Sequence, residues 1–136
     1  MMNQQTSLKL INFALWIAQI LLAASLVWSF FMKLFQPIEQ LSLMWPWAGQ
    51  VSPVLITLTG IVDLCAAVGL IFPSVLRIRP RFTPIAAVGI ILLMVCASIF
   101  HILRGETSVI GFNVIFAFIA AFIAWGRFKK IPIPTK

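Results

Sequence analysis

The ionisable residue that most needs an explanation is Asp63, which lies in the segment GIVDLCAAVGLIFP, residues 60–73. Every other residue of this segment suits an apolar environment, whereas a carboxylate there must be paired with a cation, hydrated or protonated. Lys33 is the natural partner. One hypothesis is a buried Lys33–Asp63 ion pair, direct or through one water, beside a ligand pocket. The alternative is that the long lysine stem carries its ammonium outward.

A second group of polar residues comes later in the sequence, around His101. Such residues can bind an anionic or quinone-like headgroup, or relay a proton, because histidine gains and loses a proton near neutral pH. The structural alternative is that Arg104 and Glu106 are ordinary interfacial charges and that His101 only hydrogen-bonds a neighbour. The predicted ligand-binding set is Lys33, Asp63, His101, Asn113, Gln19 and Arg104.

Other chemistries find little support in the residues. Cys65 and Cys96 form no Cys-x-x-Cys motif, which argues against thiol–disulfide chemistry. One histidine and three acids are a poor set of metal ligands. The sequence also has no glycine-rich phosphate loop and no hydrolase serine motif. We therefore predict no catalytic residue and no metal site, and we favour a protein that is not an enzyme.

The elements that must position these residues are four long apolar runs, 10–32, 51–76, 82–103 and 107–126. The chain has 136 residues, 62% hydrophobic and 10% charged, whereas soluble domains average about 45–50% and about 25%. Because about 20 apolar residues cross a bilayer, each run predicts a membrane span. The first is too long for a leader peptide, so we expect it to be retained. We predict one all-α domain over 1–136, a four-transmembrane-helix bundle with spans 10–35, 53–73, 83–104 and 107–127.

Prolines predict where these spans begin and end. Pro37 and Pro73 are expected to end the first two spans. Ser52–Pro53 and Thr83–Pro84 each resemble an N-cap residue followed by proline at the first helical position. The long connection 37–52 contains Trp45 and Trp47, whose indoles we expect at the level of the lipid headgroups.

Each predicted helix carries its polar residues on one face. At 100° per residue, Asp63 shares a face with small residues such as Gly60 and Ala67, which allow close helix packing. Each of the other helices also has one such face. It holds Asn113 with Ala117, Ala120 and Ala124 in the fourth span, His101 with Met94, Ala97 and Ser98 in the third, and Lys33 with Ser29, Gln19 and Asn12 in the first. We therefore predict a bundle with a polar interior and lipid-facing apolar exteriors.

Basic residues predict the orientation of the bundle. With four spans, both termini and the second-to-third connection share one side, which holds eight of the ten basic residues: Lys9, Arg77, Arg79, Arg81, Arg127, Lys129, Lys130 and Lys136. The positive-inside rule places this side in the cytoplasm, in a multi-pass protein of the cell's inner membrane. Attraction to anionic lipid explains the net charge of +7 better than nucleic-acid binding does.

Several motifs together resemble the DoxX-like family of small membrane proteins, from about Leu15 to Arg127. They are FMKL at 31–34, GIVD at 60–63 continuing to AVGLIFP at 67–73, TPIAAVG at 83–89, HILRGE at 101–106, Asn113 and Arg127. The chain departs from the family where it has Phe30 in place of a frequent glycine and Asp63 in place of a frequent glutamate. The resemblance implies a four-helix membrane protein. Some members are linked to thiosulfate–quinone oxidoreduction or membrane oxidoreductase complexes, and distant animal relatives resemble assembly chaperones for receptors.

These observations lead to three functional hypotheses. The first is a binding or assembly protein, expected to be a homodimer in the lipid bilayer, whose polar interior holds a lipid-like ligand or the helix of a membrane protein partner. The second is an accessory subunit of a quinone-linked oxidoreductase, with quinone near Lys33, Asp63 and His101. A proton-coupled transporter is the weakest, because the sequence has one intramembrane carboxylate and no inverted repeat.

Overall fold

The computed structural model describes residues 3–107 and 110–136 of the chain, and these residues form helices without any β-strand. Four helices are long: α1 (Gln4–Phe35), α3 (Pro53–Leu76), α4 (Phe82–Leu103) and α5 (Ile110–Trp125). The last of these continues into a π-helical turn, Gly126–Lys130. The connection between α1 and α3 contains the short helix α2 (Ile38–Met44) and a 3-10 helix, Pro46–Gln50.

Side-chain caps mark the start of α1 and of α3, and α1 begins at Gln4, six residues before the predicted start of the first span at residue 10. Asn3 caps α1, because its side-chain oxygen accepts a hydrogen bond from the backbone N–H of Thr6 at 2.8 Å. Ser52 caps α3 by accepting from the N–H of Val54 at 3.3 Å, and Pro53 occupies the first helical position. The N-cap prediction at Ser52 is therefore confirmed.

Two predictions about the second and third spans were wrong. Pro73 does not end α3, which continues to Leu76. Thr83 is not an N-cap residue, because α4 already begins at Phe82 and Thr83 is fully buried. One contact explains both errors: Pro73 has no N–H to offer the carbonyl of Gly69 four residues earlier, and the Thr83 hydroxyl lies 3.1 Å from that carbonyl oxygen and donates to it. The helix can therefore pass through the proline with its backbone satisfied.

The four long helices pack in a ring, which is the predicted four-helix bundle. The most extensive contacts join α1 to α3 and α4 to α5, and contacts between α3 and α4 and between α1 and α5 close the ring. The core that they enclose is apolar at its centre and consists of Leu22, Ala23, Leu26, Ala67, Leu70, Ala87, Ile90, Met94, Ala120 and Ile123. All four long helical segments are long and apolar enough to cross a membrane, so the protein is a membrane protein.

The faces predicted for each helix agree with the observed burial. On α3, Gly60, Asp63 and Ala67 are buried while Cys65 and Phe72 are exposed. The exposed residues of the long helices are mostly large and apolar, as expected of side chains that face lipid. The buried polar residues are Gln19, Asp63, Ser74, Thr83, His101 and Arg127.

Because neighbouring helices run in opposite directions, different helices finish at the two ends of the bundle. We name them by residues: the Lys33 end, where α1 and α4 finish, and the Arg127 end, where α5 finishes. The α2 and 3-10 segment lies at the Lys33 end, where Leu41, Ala48 and Ile56 form a small second core.

Candidate functional site

Lys33 and Asp63 form a direct ion pair between α1 and α3. The Lys33 Nζ lies 2.9 Å from the Asp63 Oδ2, and the Ser29 hydroxyl donates to the same oxygen at 2.8 Å. The side chains are only 12% and 4% exposed. The first of the two sequence hypotheses, direct pairing, therefore describes the geometry, and the carboxylate gains the cation and the donor that a buried charge requires.

Close packing of α1 on α3 makes this short distance attainable. Gly60 lies one turn before Asp63, and a Cβ atom at Gly60 would lie 2.5 Å from the Leu34 Cδ1 and 3.1 Å from the Lys33 Cβ. Real Cβ atoms essentially never come within 3.0 Å of another atom, so a larger residue would require the Leu34 side chain to move and the Lys33 Cβ to give way by a few tenths of an ångström. Gly60 thus lets the shorter aspartate side chain reach Lys33.

Trp47 connects the ion pair to the second polar group. Its ring centre lies 6.0 Å from the Lys33 Nζ and 6.1 Å from the ring centres of both Phe100 and His101. The sequence analysis expects this indole at the level of the lipid headgroups, and the structure shows it half-buried against Phe100 and His101. Its face beside the ammonium allows a cation–π contact, so Trp47 belongs to the site, which sequence reasoning missed.

His101, Arg104 and Glu106 also meet at the Lys33 end. The His101 Nδ1 lies 3.3 Å from the Glu106 Oε1, and the Arg104 Nε donates to the same oxygen at 2.7 Å. A second nitrogen of Arg104 donates to the Gln50 side chain, which ties the 3-10 segment to α4. The hydrogen bond from Arg104 lowers the pKa of Glu106, and His101 contributes in the same direction. Glu106 therefore stays ionised near neutral pH and fixes the histidine ring.

Asn113 lies apart from these charges, in a groove between α4 and α5. The groove has a volume of about 390 Å³ and is lined by Met94, Val95, Ser98, Ile99, Asn113, Val114, Ala117, Phe118 and Ala121. The Asn113 Nδ2 is buried and has no hydrogen-bond partner among residues 3–107 and 110–136. On α4 the groove ends at Ser98 and Ile99, one helical turn before His101. A similar apolar groove between α1 and α3 is lined by residues around Ala23 and Ala67.

Gln19 lies in a different place from the rest of the predicted set. It is fully buried, and its Oε1 accepts a hydrogen bond at 2.7 Å from the Arg127 Nε. Its Nε2 donates to the Leu70 carbonyl oxygen at 2.7 Å. Lys33 lies 14 residues further along α1, about 21 Å away at about 1.5 Å per residue, so Gln19 belongs to the Arg127 end.

Sequence reasoning also missed the burial of Arg127. We counted it with the basic residues that attract lipid headgroups, but its side chain is 3% exposed and bonded to Gln19 and Asn12. The signal was available in the sequence: Asn12 and Gln19 share one face of α1, and amides on a buried face need a partner. Ser74 and Thr83, with hydroxyl oxygens 2.7 Å apart, extend the same polar region.

The remaining candidates for chemistry are a metal cluster and the two cysteines. Among the described residues there is no cluster of three or more His, Cys, Asp or Glu that could hold a metal ion. Cys65 and Cys96 are both exposed and free.

The fold and the polar interior define a class of protein: a small four-helix integral membrane protein with buried polar side chains. Comparison with protein families finds a match to the DoxX-like family over residues 17–123, and the chain belongs to that family. Searches of the curated proteins and of the solved structures returned no match.

Proposed function

We propose that the protein is a membrane-embedded binding protein that holds a lipid-like amphiphile. Its tail would lie in the groove between α4 and α5, and its polar head would meet His101 and Arg104 at the Lys33 end. The observation that carries the proposal is the Asn113 Nδ2, a buried donor without a described partner, on a residue that lines a groove which is apolar apart from Asn113 and Ser98. A buried donor of this kind favours an acceptor from outside the chain.

The chemistry of the groove fits the middle of an amphiphile. Apart from Asn113 and Ser98 its lining is apolar, and the Ser98 hydroxyl already donates to the Met94 carbonyl oxygen at 2.8 Å. A single carbonyl or ether oxygen near Asn113, followed by a hydrocarbon chain, would satisfy the amide and fill the groove. Ligand sites commonly combine an apolar lining with a few placed polar groups.

The charged groups at the Lys33 end support the location of the head. Arg104 and Glu106 are about a quarter exposed at their side chains, so both remain accessible to a polar group at the membrane surface. His101 uses Nδ1 toward Glu106, which leaves Nε2 for a ligand. The head would therefore meet a donor from Arg104, an acceptor from Glu106 and the Nε2 of His101, which accepts when the ring is neutral and donates when it is protonated.

In this proposal Lys33 and Asp63 act on the ligand indirectly. Their pair fixes α1 against α3, and the Lys33 ammonium holds Trp47. Trp47 in turn packs beside His101. We propose that they position the aromatic side of the headgroup site.

Native mass spectrometry from mild detergent tests this function, because it reports a co-bound amphiphile and the copy number together. Ala117→Phe fills the groove and Asn113→Leu removes its donor, so both should remove the co-purified species. Ala14→Phe, at an exposed position of α1, should retain it. Equal occupancy in all three variants would refute the proposal.

A quinone is the second candidate for the amphiphile, in an accessory subunit of a quinone-linked oxidoreductase. The Nε2 of His101 supports it, because in the protonated ring both nitrogens carry hydrogen: Nδ1–H faces Glu106 and Nε2–H can donate to a quinone carbonyl. Purified protein should then contain a species whose ultraviolet absorbance changes on adding borohydride, and His101→Phe should remove that change. Co-purification of another membrane protein without a chromophore would instead favour assembly.

Two further features complete the proposed function. We propose that the termini face the cytoplasm, since the Arg127 end carries most of the basic residues. We also propose a homodimer whose copies meet through the apolar groove between α1 and α3, where Ala23, Ala24 and Ala67 allow close approach of a second copy. Protease protection in vesicles tests the first feature, and the copy number from mass spectrometry tests the second.

A further inference from the structure

The Arg127 end contains a buried cation that the proposed function does not use. Arg127 is in the π-helical turn after α5 and is 3% exposed. Its Nε donates to the Gln19 Oε1 at 2.7 Å, and its Nη1 donates to the Asn12 Oδ1 at 2.8 Å and to the Ile131 carbonyl oxygen at 3.0 Å. The Trp16 ring lies 5.4 Å from the centre of the guanidinium.

All of these partners are uncharged, and no acidic side chain is left for Arg127. Its only acids are Glu39, Asp63 and Glu106, each within the described residues. Asp63 pairs with Lys33 and Glu106 with His101 and Arg104, both at the Lys33 end. Glu39, in α2, lies at the same end. Arg127 therefore has no acidic side chain as a counter-charge, whereas charges buried in proteins are nearly always paired.

One nitrogen of the guanidinium is also without a hydrogen bond. The Arg127 Nη2 is buried and has no partner among residues 3–107 and 110–136. Two neighbouring nitrogens of a guanidinium, Nη1 and Nη2, form the fork that binds two oxygens of one phosphate or carboxylate. In this fork, Nη1 donates only to two neutral oxygens, the Asn12 Oδ1 and the Ile131 carbonyl oxygen.

The segment 131–136 is what an incoming anion would have to displace. It starts beside the guanidinium, where the Ile131 carbonyl accepts from Nη1, and it ends where the Lys136 N–H donates to the Arg77 carbonyl at 2.8 Å. Its residues are exposed or half-buried. Few buried contacts hold such a segment, so it can open at low free-energy cost.

We propose that Arg127 is a binding site for a phosphate group, in which two phosphate oxygens accept from Nη1 and Nη2 in place of the Ile131 carbonyl. The exposed basic residues at this end, among them Lys9, Lys129 and Lys130, would draw the anion to the surface. The phosphate can belong to an anionic lipid or be free in solution. This site lies at the other end of the bundle from the proposed amphiphile groove.

Native mass spectrometry with phosphatidylglycerol and phosphatidylcholine of equal chain length tests the site, because both carry a phosphate but only the first has a net charge. Wild type should bind phosphatidylglycerol about tenfold more tightly than phosphatidylcholine, which corresponds to one charge-assisted contact. Lys129→Gln/Lys130→Gln, in which exposed charges are removed, should keep that preference within about threefold. Arg127→Gln should lose it. If the double lysine variant loses the preference, surface charge explains it and the proposal is overturned, whether or not Arg127→Gln folds.

Two additional measurements on wild type identify the source of the phosphate and the role of the segment. Hydrogen exchange at the Lys136 amide should speed up several-fold with phosphatidylglycerol and not with phosphatidylcholine. Inorganic phosphate is then added at millimolar concentration. If it competes with the lipid and speeds up exchange at the Lys136 amide to the same extent, the site binds free phosphate. If it does not compete, the site binds a lipid. Unchanged exchange with both phosphate sources would contradict displacement of the segment and overturn the proposal.

Discussion

The two ends of the bundle handle a buried charge in different ways. At the Lys33 end, Asp63 has a cation at 2.9 Å and a hydroxyl at 2.8 Å, and Glu106 has its own arginine. At the Arg127 end, the guanidinium has only amide and carbonyl oxygens for partners. A compensated pair can serve as a fixed support, whereas a lone cation favours an anion from outside the chain. The comparison distinguishes a compensated ion pair, which in our proposal supports the neighbouring headgroup site, from a lone cation, for which we propose a phosphate as the ligand.

The largest expected effect is that of Asp63→Leu, because it leaves the Lys33 ammonium buried without its partner. Breaking a buried pair from one side costs about 3 kcal/mol. Unfolding in a mixed-detergent titration should show that loss of stability, while Val62→Leu on the exposed side of α3 should be neutral. A loss below about 1 kcal/mol would mean that Lys33 simply turns to the membrane surface.

A smaller loss is expected from Arg127→Met, although three hydrogen bonds disappear. The substitution also removes an uncompensated buried charge, and the two effects oppose each other. We expect a net loss of about 1–2 kcal/mol in the same titration, below that of Asp63→Leu. Lys129→Met, at an exposed position, is the control. If Arg127→Met costs more than Asp63→Leu, the two ends do not differ as described.

Gly60→Ala sharpens the comparison by testing the helix contact under the Lys33–Asp63 pair. The new methyl group would meet the flexible end of the Leu34 side chain and the Lys33 Cβ, so we expect a loss of about 1 kcal/mol, at the lower end of the cost of overpacking. Gly89→Ala is the matched control, since nothing lies within 4 Å of a Cβ there. Replacing that helical glycine should be neutral or stabilise by up to about 1 kcal/mol. Equal effects at both glycines would exclude close packing as the reason for Gly60.

The smallest effect is the pH dependence of the loop after α4. The pKa of Glu106 is below its ordinary value of 4.5 because Arg104 donates to it. Its contribution to stability is therefore complete above the unfolded-state pKa and is lost as pH falls through the lower folded-state pKa. The stability difference between wild type and Glu106→Gln, measured by thermal unfolding, should shrink as pH is lowered through that range. A difference that is constant down to pH 3 would show that Arg104 does not hold the carboxylate.

The sequence predicted the fold and part of the site for identifiable physical reasons. Long uncharged runs predict spans directly, and helical periodicity placed Asp63 on the packed face of α3. Whether Lys33 would turn inward could not be predicted, since it depends on the fit of Gly60 against α1. Thr83 was assigned wrongly because a local Thr–Pro pattern carries no information about Gly69, which lies 14 residues earlier and supplies the actual acceptor.

The separation of Gln19 from Lys33 was missed for a related reason. Both lie on the polar face of α1, and a shared face does not specify depth across the membrane. Counting residues along the helix would have separated them by about 21 Å. Trp47 was assigned to the membrane surface because aromatic belts are common, whereas its contacts with Phe100 and His101 depend on the path of the connection.

A double-mutant cycle on Lys33 and Asp63 tests the central claim most directly. The cycle compares Lys33→Met, Asp63→Leu and the double variant in the same unfolding titration, and the coupling free energy isolates the pair from other effects. We predict a coupling of about 2 kcal/mol, with the double variant more stable than Asp63→Leu alone. Additive losses, with a coupling below about 0.5 kcal/mol, would contradict a compensated charge at this end.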